Sequence, residues 1–365
     1  MMHTEKVFEI NNDDFVRVTE VSLRVVVEKI FEKMEVPHAD AVLATDVLVQ
    51  ADLRGIESHG VSTMLRKYIR DYKSGKLNPH PEWKIVRESP STASIDADRG
   101  LGIIVAPQAM ELAIRKAKKV GIGMVTMKNV GHMGMVAYYP LMALPHNMIG
   151  LALTSTPPEV FPTFGAESRL GTNPIALAAP GNKKGNFVYD AATSVVSNNK
   201  LSIARRLGLT LPPGWVAELD GRPAMHEIEP PAEGRGKARL LPLGSSPELG
   251  SHKGYGLGCV VDILAGVLSG AGYGAMVGRG DYAHTVVAYD IEAFMDQNEF
   301  KCMMDVWLQL LNDTAPAPGH DHVYYPGELE DECEKEYRAK GIPLHKEIVE
   351  WFRIFSKENG ITCEM

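Results

Sequence analysis

Two histidines stand in turns made of small residues, Ser58-His59-Gly60 and Gly131-His132-Met133-Gly134. Glycine beside histidine lets the backbone bend sharply and lets a ligand approach the ring. That is what a proton donor to a bound carbonyl needs, and an imidazole with a reference pKa of about 6.5 works in either direction near neutrality. The plainer alternative is a turn histidine bonded to a nearby carbonyl, and spacing alone does not choose between them. Other polar groups fall where strands end. Gly171-Thr172-Asn173-Pro174 reads as a turn, and Asp190-Ala191-Ala192-Thr193-Ser194 runs from a strand into a helix start. An Asp followed by Thr and Ser there is either a helix cap or the lip of an anion site formed by exposed amides. Lys253, in His252-Lys253-Gly254-Tyr255-Gly256, opens an apolar helix at the end that disfavours cations, and so asks for an anionic partner. His320-Asp321-His322 lies in Pro- and Gly-rich chain that reads as loop, where solvated histidines are expected, not a metal pair.

These groups must be held by elements. Apolar residues at Leu23, Val26, Val27, Ile30 and Met34 recur at the helical period. A second helix is expected over His38 to Leu53, stopped by Gly55, and a third through Met64, Leu65, Tyr68 and Tyr72 to Gly75. The turn 54–60 presents polar residues between two rigid elements. Strands are expected at 83–88, 92–97, 124–129, 148–156, 173–180, 186–192 and 284–291, with a helix opened by Pro107 and closed by Gly121 and another over Val195 to Arg206. The stretch Pro212 to Leu249 reads as a long surface excursion. The apolar run Leu257 to Val277 contains Asp262, and seven glycines fall between Gly258 and Gly280, so its first half reads as a buried helix and not a membrane span. Helices follow to the C-terminus. The layout is α/β: helices from both chain ends, 1–83 plus 292–365, around an α/β domain at 84–291.

Composition narrows the function. At 365 residues, 45% hydrophobic and 23% charged, the chain has ordinary globular proportions and room for two domains. Lys plus Arg at 38 against Asp plus Glu at 46 gives a net charge of -8, which disfavours nucleic acid as a partner. Cys259, Cys302, Cys333 and Cys363 show no C-x-x-C spacing and suit free thiols in a reducing cytoplasm; no metal site is expected. The polar, acidic start MMHTEKVFEINNDD lacks the pattern of a signal peptide. A Rossmann G-x-G-x-x-G is absent: the nearest match, Gly278-Arg-Gly280-Asp-Tyr-Ala283, precedes a strand instead of following one.

The motifs RGIESHGV (54–61), GHMG (131–134), LGTNPIALAAP (170–180), DAATS (190–194), HKGYGLGCVVDILAG (252–266) and YYPGELE (324–330) occur in that order. Together they resemble the type 2 malate/L-lactate dehydrogenase family of nicotinamide-dependent 2-oxoacid reductases, and the match spans nearly the whole chain. The resemblance implies an unusual non-Rossmann dinucleotide-binding α/β domain, NAD or NADP as cofactor, a small-molecule 2-oxoacid substrate, no membrane, and a cytoplasmic homodimer. It implies His59 or His132 as the acid/base. It also places Thr156, Asp190, Ala191, Ala192, Thr193, Lys253, Gly327 and Glu328 at the cofactor, and Ser58 and Asn173 near the substrate or nicotinamide. Thr63 stands where many relatives have an arginine for the substrate carboxylate, and Arg66, about one helical turn on, is the substitute. Where relatives read N-S-N-H-F-G, this chain reads Asn129-Val130-Gly131-His132-Met133-Gly134. The implied reaction is reversible hydride transfer between NAD(P)H and C2 of a malate- or lactate-like acid. The alternatives are a cyclic imino acid reductase on the same scaffold and a metal-dependent hydrolase or lyase using the two histidines.

Overall fold

The stripe that begins at Ser22 is buried as a stripe. In the computed structural model, which describes residues 14–234, 236–274, 276 and 282–365, helix α1 (Glu20–Lys33) hides Leu23, Val26, Val27 and Ile30. Its amino end is capped by Thr19, whose Oγ1 accepts from the Ser22 N–H at 3.1 Å. Helix α2 (His38–Leu53) is followed by Gly55 at φ +71, and α3 (Val61–Lys73) buries Met64, Leu65, Tyr68 and Tyr72. These helices share one core with Ile348, Val349 and Phe352 of the last helix, so both ends of the chain build a single helical layer. Two short strands, β1 (Phe15–Val18) and β9 (Ile342–His345), pair antiparallel and tie those ends together. Neither is visible in the sequence, because four residues are too few to show a period. The opening residues of the chain and the first four residues of the rejected glycine motif, 278–281, lie outside the described residues.

The second layer is a seven-stranded sheet in the order β2 (Lys84–Glu88), β3 (Thr92–Gly100), β4 (Ile122–Val130), β8 (Tyr282–Asp290), β5 (Met148–Ser155), β6 (Ile175–Ala179), β7 (Phe187–Ala191). Only β3 and β4 pair in parallel; every other neighbour is antiparallel. The α/β class is as expected. A mostly antiparallel sheet has none of the repeated strand–turn–helix crossovers on which the Rossmann glycine loop depends, which accounts for the missing fingerprint.

Four expectations change. Helix α4 (Gly102–Val120) starts at Gly102 and carries Pro107 inside it; burial of Ile103, Ile104 and Val105 outweighs the one backbone bond that proline cannot make. The stretch 212–249 is not a surface excursion: Val216, Ala224, Ala238 and Leu240 pack with Val160, Leu170, Leu201 and Ile203 in a separate small core. That core also holds α6 (Asn198–Leu207), which begins after Val195 because Ser197 is still extended. The apolar run after Lys253 forms α7 (Ser251–Val261), continued by a π-turn at Asp262–Val267. It is not a buried helix, for Leu257, Val260 and Ile263 are exposed while Val261 and Ala265 face inward. A one-turn helix α5 (Tyr138–Leu141), α8 (Gln297–Asn312), α9 (Glu328–Lys340) and α10 (Lys346–Asn359) complete the chain. Among the described residues no helix is long and apolar enough to cross a membrane.

Candidate active site and cofactor groove

Sheet direction brings the polar turns together. Strands β4 and β5 both run antiparallel to β8 between them, and β7 runs antiparallel to β6, which itself opposes β5. The carboxyl ends of β4, β5 and β7 and the amino ends of β6 and β8 therefore share one edge of the sheet. His132 follows β4, Thr156 follows β5, Asn173 precedes β6, Asp190 and Ala191 close β7, and Tyr282 opens β8. His59 reaches this edge from the helical layer, at the end of a 3-10 turn (Glu57–His59) between α2 and α3. The two imidazoles stack, centroids 5.6 Å apart and planes 12° from parallel.

Each ring is held by its own surroundings. The turn bearing His59 is clamped by α6: Asn199 donates to the Ser58 carbonyl at 2.7 Å and Arg206 to Glu57 at 2.7 Å. Ser58 Oγ lies 2.9 Å from His59 Nδ1. Gly60 is required because a Cβ would run into the Asp52 carboxylate, which accepts the Val61 N–H at 2.8 Å and so starts α3. For His132, Nδ1 accepts the Gly134 N–H at 3.0 Å, with the Tyr68 hydroxyl 2.9 Å away. A backbone N–H can only donate, so the neutral ring carries its proton on Nε2. The Gly131 carbonyl behind it accepts from His284 Nε2 at 2.9 Å, while His284 Nδ1 takes the Thr154 hydroxyl proton at 2.6 Å. His284 is fully buried and acts on the turn, not on a ligand.

Burial sets the electrostatics. It lowers His59 from the ordinary histidine value to about 4, and it pushes His132 down too, with His59 and Lys67 adding to the effect. Both rings are neutral at pH 7 before a ligand arrives. Burial raises Glu159, in the same cleft, to about 7 despite a 2.9 Å hydrogen bond from Asn198. Asp190 rises to about 7 by burial, partly offset by the Ala137 N–H at 2.7 Å.

Three cavities lead away from the sheet edge. The first, about 430 Å³, is lined by His59, His132, Thr156, Glu159 and Tyr282 and by the cations Arg66, Lys67, Arg70, Arg205 and Arg206. The second, about 290 Å³, shares His59, Thr172 and Ser197 with it and adds Ser58, Asp190, Ala191, Ala192 and Lys200. A third of about 300 Å³ shares Arg54, Ile56, Asp190, Ala191 and Glu330 with the second and ends at Tyr324, Tyr325 and Gly327. Gly327 sits at φ +99 with Val188 where a Cβ would be, so this wall needs glycine.

Other expected residues fall elsewhere. Asn173 and Thr193 are buried and line no cavity: Asn173 binds the Thr156 N–H and the Gly258 carbonyl, and Thr193 the Thr172 carbonyl. Lys253 is exposed on α7, and Glu328 is turned to its own loop, accepting from Asn312 at 2.7 Å and the Tyr325 N–H at 3.2 Å. Arg66 lines the first cavity but is engaged, its Nη2 2.6 Å from Glu347 and its guanidinium 4.8 Å from the Trp351 ring centroid. Unforeseen are Tyr68, Glu159, Arg206 and His284. Tyr68 lay hidden in a helical apolar stripe and His284 in a strand, and nothing local distinguishes a core position from one that holds a turn.

The chain matches the malate/L-lactate dehydrogenase family over residues 18–353. A malate dehydrogenase of Pyrococcus horikoshii is 40% identical over 357 residues, 96% of this chain and 97% of that protein. An L-sulfolactate dehydrogenase of Methanocaldococcus jannaschii is 37% identical over 342 residues, 92% of this chain and 95% of that one. This chain belongs to the malate/L-lactate dehydrogenase family. The crystal structure of a malate dehydrogenase from Entamoeba histolytica, 32% identical, superposes with a TM-score of 0.90 over 96% of this chain and 100% of that one. Family membership makes the protein a nicotinamide-dependent 2-hydroxyacid dehydrogenase, and these relatives do not favour the imino acid or metal-hydrolase alternatives. The linked cavities offer an elongated ligand a polar start at the histidines, an aromatic and glycine-lined end, and between them Arg54, 4% exposed, with Nε and Nη2 lacking partners.

Proposed function

We propose that this dehydrogenase interconverts a 2-oxoacid and its 2-hydroxyacid in the first cavity, with the dinucleotide along the other two. The observation that carries the reading is the stacked histidine pair at the mouth of a groove that ends at Gly327. A bound reduced nicotinamide supplies the hydride. The protein has to meet the negative charge that develops on the carbonyl oxygen. His132 does so once the anionic substrate has favoured a second proton on it, at Nδ1 toward the Tyr68 hydroxyl: Nε2, the ring nitrogen its hydrogen bonds leave free, gives its proton to the oxygen and leaves a neutral imidazole, which in reverse takes the proton back from the hydroxyl. His59, neutral and anchored by Ser58, covers one face of that ring and keeps water from it. Thr156, Asp190, Ala191, Ala192 and Gly327 are the cofactor-binding set, and Thr193 and Asn173 position it from below. Lys253, exposed on α7, and Glu328, beside Gly327, complete the proposed set from outside these three cavities.

The carboxylate of the substrate is held by the basic wall. Arg66 and Arg206 both approach Glu347, at 2.6 and 3.8 Å, so one internal carboxylate keeps two guanidiniums beside Thr63, where the family arginine is missing. The helical layer, 1–83 with 292–365, closes over the 84–291 domain. Its α8 sits on the sheet side, where Asp305 accepts the N–H groups of Asn182 and Lys183. Exposed apolar residues on α7, the π-turn after it and α8, including Val260, Ile263, Val306 and Leu310, support a homodimer, and the free thiols of Cys259, Cys302 and Cys363 support a cytoplasmic enzyme.

The test is a panel of 2-oxoacids and cyclic imines offered with NADH and with NADPH. Turnover of at least one oxoacid is expected; turnover of imines alone would replace this reading with the imino acid reductase.

A further inference from the structure

The far end of the groove carries a carboxylate that nothing above uses. Glu330, in the first turn of α9, lines both the second and the third cavity, and among the described residues no hydrogen bond or ion pair engages it. It is half-buried on the wall that the two cavities share. Beside it is Arg54, whose Nη1 is already shared by Asp331 at 2.7 Å and Glu334 at 3.1 Å. The Nε and Nη2 groups of Arg54 are buried without partners, which marks this junction as a place where a ligand completes the hydrogen bonding. The charge balance is acidic: one guanidinium pairs with Asp331 and Glu334, while the carboxyl groups of Glu330 and Asp190 line the same cavity.

A free carboxylate accepts hydrogen bonds and repels anions. The donor pair that a dinucleotide offers away from its nicotinamide is the 2′,3′-diol of the adenosine ribose, and the group it cannot tolerate there is a 2′-phosphate. We propose that Glu330 accepts the adenosine ribose hydroxyls and makes this enzyme select NAD over NADP. The unpartnered N–H groups of Arg54 then serve the neighbouring phosphate or ring acceptors. They do not form a 2′-phosphate pocket, since Asp331 and Glu334 already balance the guanidinium charge.

This inference rests on the reading of the groove as a dinucleotide site, and the experiment separates the two. With the full-length protein and one accepted 2-oxoacid, kcat/KM is measured for NADH and NADPH in the wild type, Glu330→Gln and the conservative Glu330→Asp. The expected result is a wild-type preference for NADH of about tenfold or more, narrowed by about tenfold in Glu330→Gln and largely kept in Glu330→Asp. A wild-type ratio near one or favouring NADPH overturns the proposal, as does a ratio that Glu330→Gln leaves unchanged. If Glu330→Gln does not fold, ADP-ribose and its 2′-phosphate are compared as competitive inhibitors of the wild type. Weaker inhibition by the phosphate is expected, and equal or stronger inhibition overturns the proposal. Binding of neither nucleotide would instead remove the groove reading itself.

Discussion

The cavity at the histidine end is walled by five cations and by polar atoms that have no partner: Ser62 Oγ, Thr63 Oγ1, Arg66 Nε, Arg206 Nε and Asn198 Oδ1. The cavity at the Gly327 end is walled by Tyr324, Tyr325, Val188 and carboxylates, and its strain is in the backbone, at a glycine no other residue replaces. Five cations and two buried imidazoles gather where charge must appear and vanish; at the other end one guanidinium with two open N–H groups stands among carboxyls, a mixed set of donors and acceptors suited to recognising a neutral group. The first end is thus expected to govern turnover and the second to govern which nucleotide enters.

Substitutions ordered by size can break that contrast. His132→Asn should lower kcat by about 10² to 10⁴ while nucleotide binding, followed by fluorescence, persists. An equal loss of binding would merge the two ends into one. His59→Asn is expected to cost less, since its ring shields and does not transfer the proton. Next comes the basic wall. Arg206→Met or Arg66→Met should raise KM for the oxoacid by about 10- to 100-fold, the loss of a charge-assisted contact, with KM for the nucleotide unchanged. Tyr68→Phe removes the hydroxyl beside His132 Nδ1 and should reduce kcat by about tenfold; unchanged turnover would mean that the Gly134 N–H alone fixes the tautomer.

The smallest effect concerns stability. Asp190 has a folded-state value near 7 against an ordinary 3.8, so the folded protein keeps a proton that the unfolded chain has released between those values. Its contribution to stability is complete below about 3.8 and is lost as pH rises through 7. Thermal melts at pH 5.5 and pH 8 should therefore converge in Asp190→Asn relative to the wild type. A mutant with the wild-type pH dependence would show that another buried carboxyl, with Glu159 the first to test, sets it.

Much of this arrangement was legible beforehand. The stripe of α1, the span of α2 and the seven central strands could be read from apolar periods and runs bounded by turn residues, even though β2 is exposed along its length and β8 is buried on both faces over most of its own. So could the turns of His59 and His132, since glycine on either side marks a sharp bend. What could not be read was long-range. Arg206 reaches Glu57 from α6, and Tyr68 looks like one more buried position of α3 until its hydroxyl is seen against His132. The 212–249 stretch carries too much Pro, Gly and charge for its apolar residues to form a pattern, yet Val216 and Leu240 still find a common core. Lys253, which asks for an anion at a helix start, is exposed on α7, and among the described residues of its own chain none answers that charge in a way the sequence could announce.

The most direct test follows the hydride itself. Reduced nicotinamide dinucleotide carrying deuterium at both C4 positions is incubated with the protein and a set of 2-oxoacids, and the product is read by mass spectrometry. The account predicts deuterium at C2 of the hydroxyacid with the wild type and its formation slowed at least about 100-fold in His132→Asn. Transfer of label to none of the oxoacids, or undiminished transfer when both His59 and His132 are replaced, would contradict it.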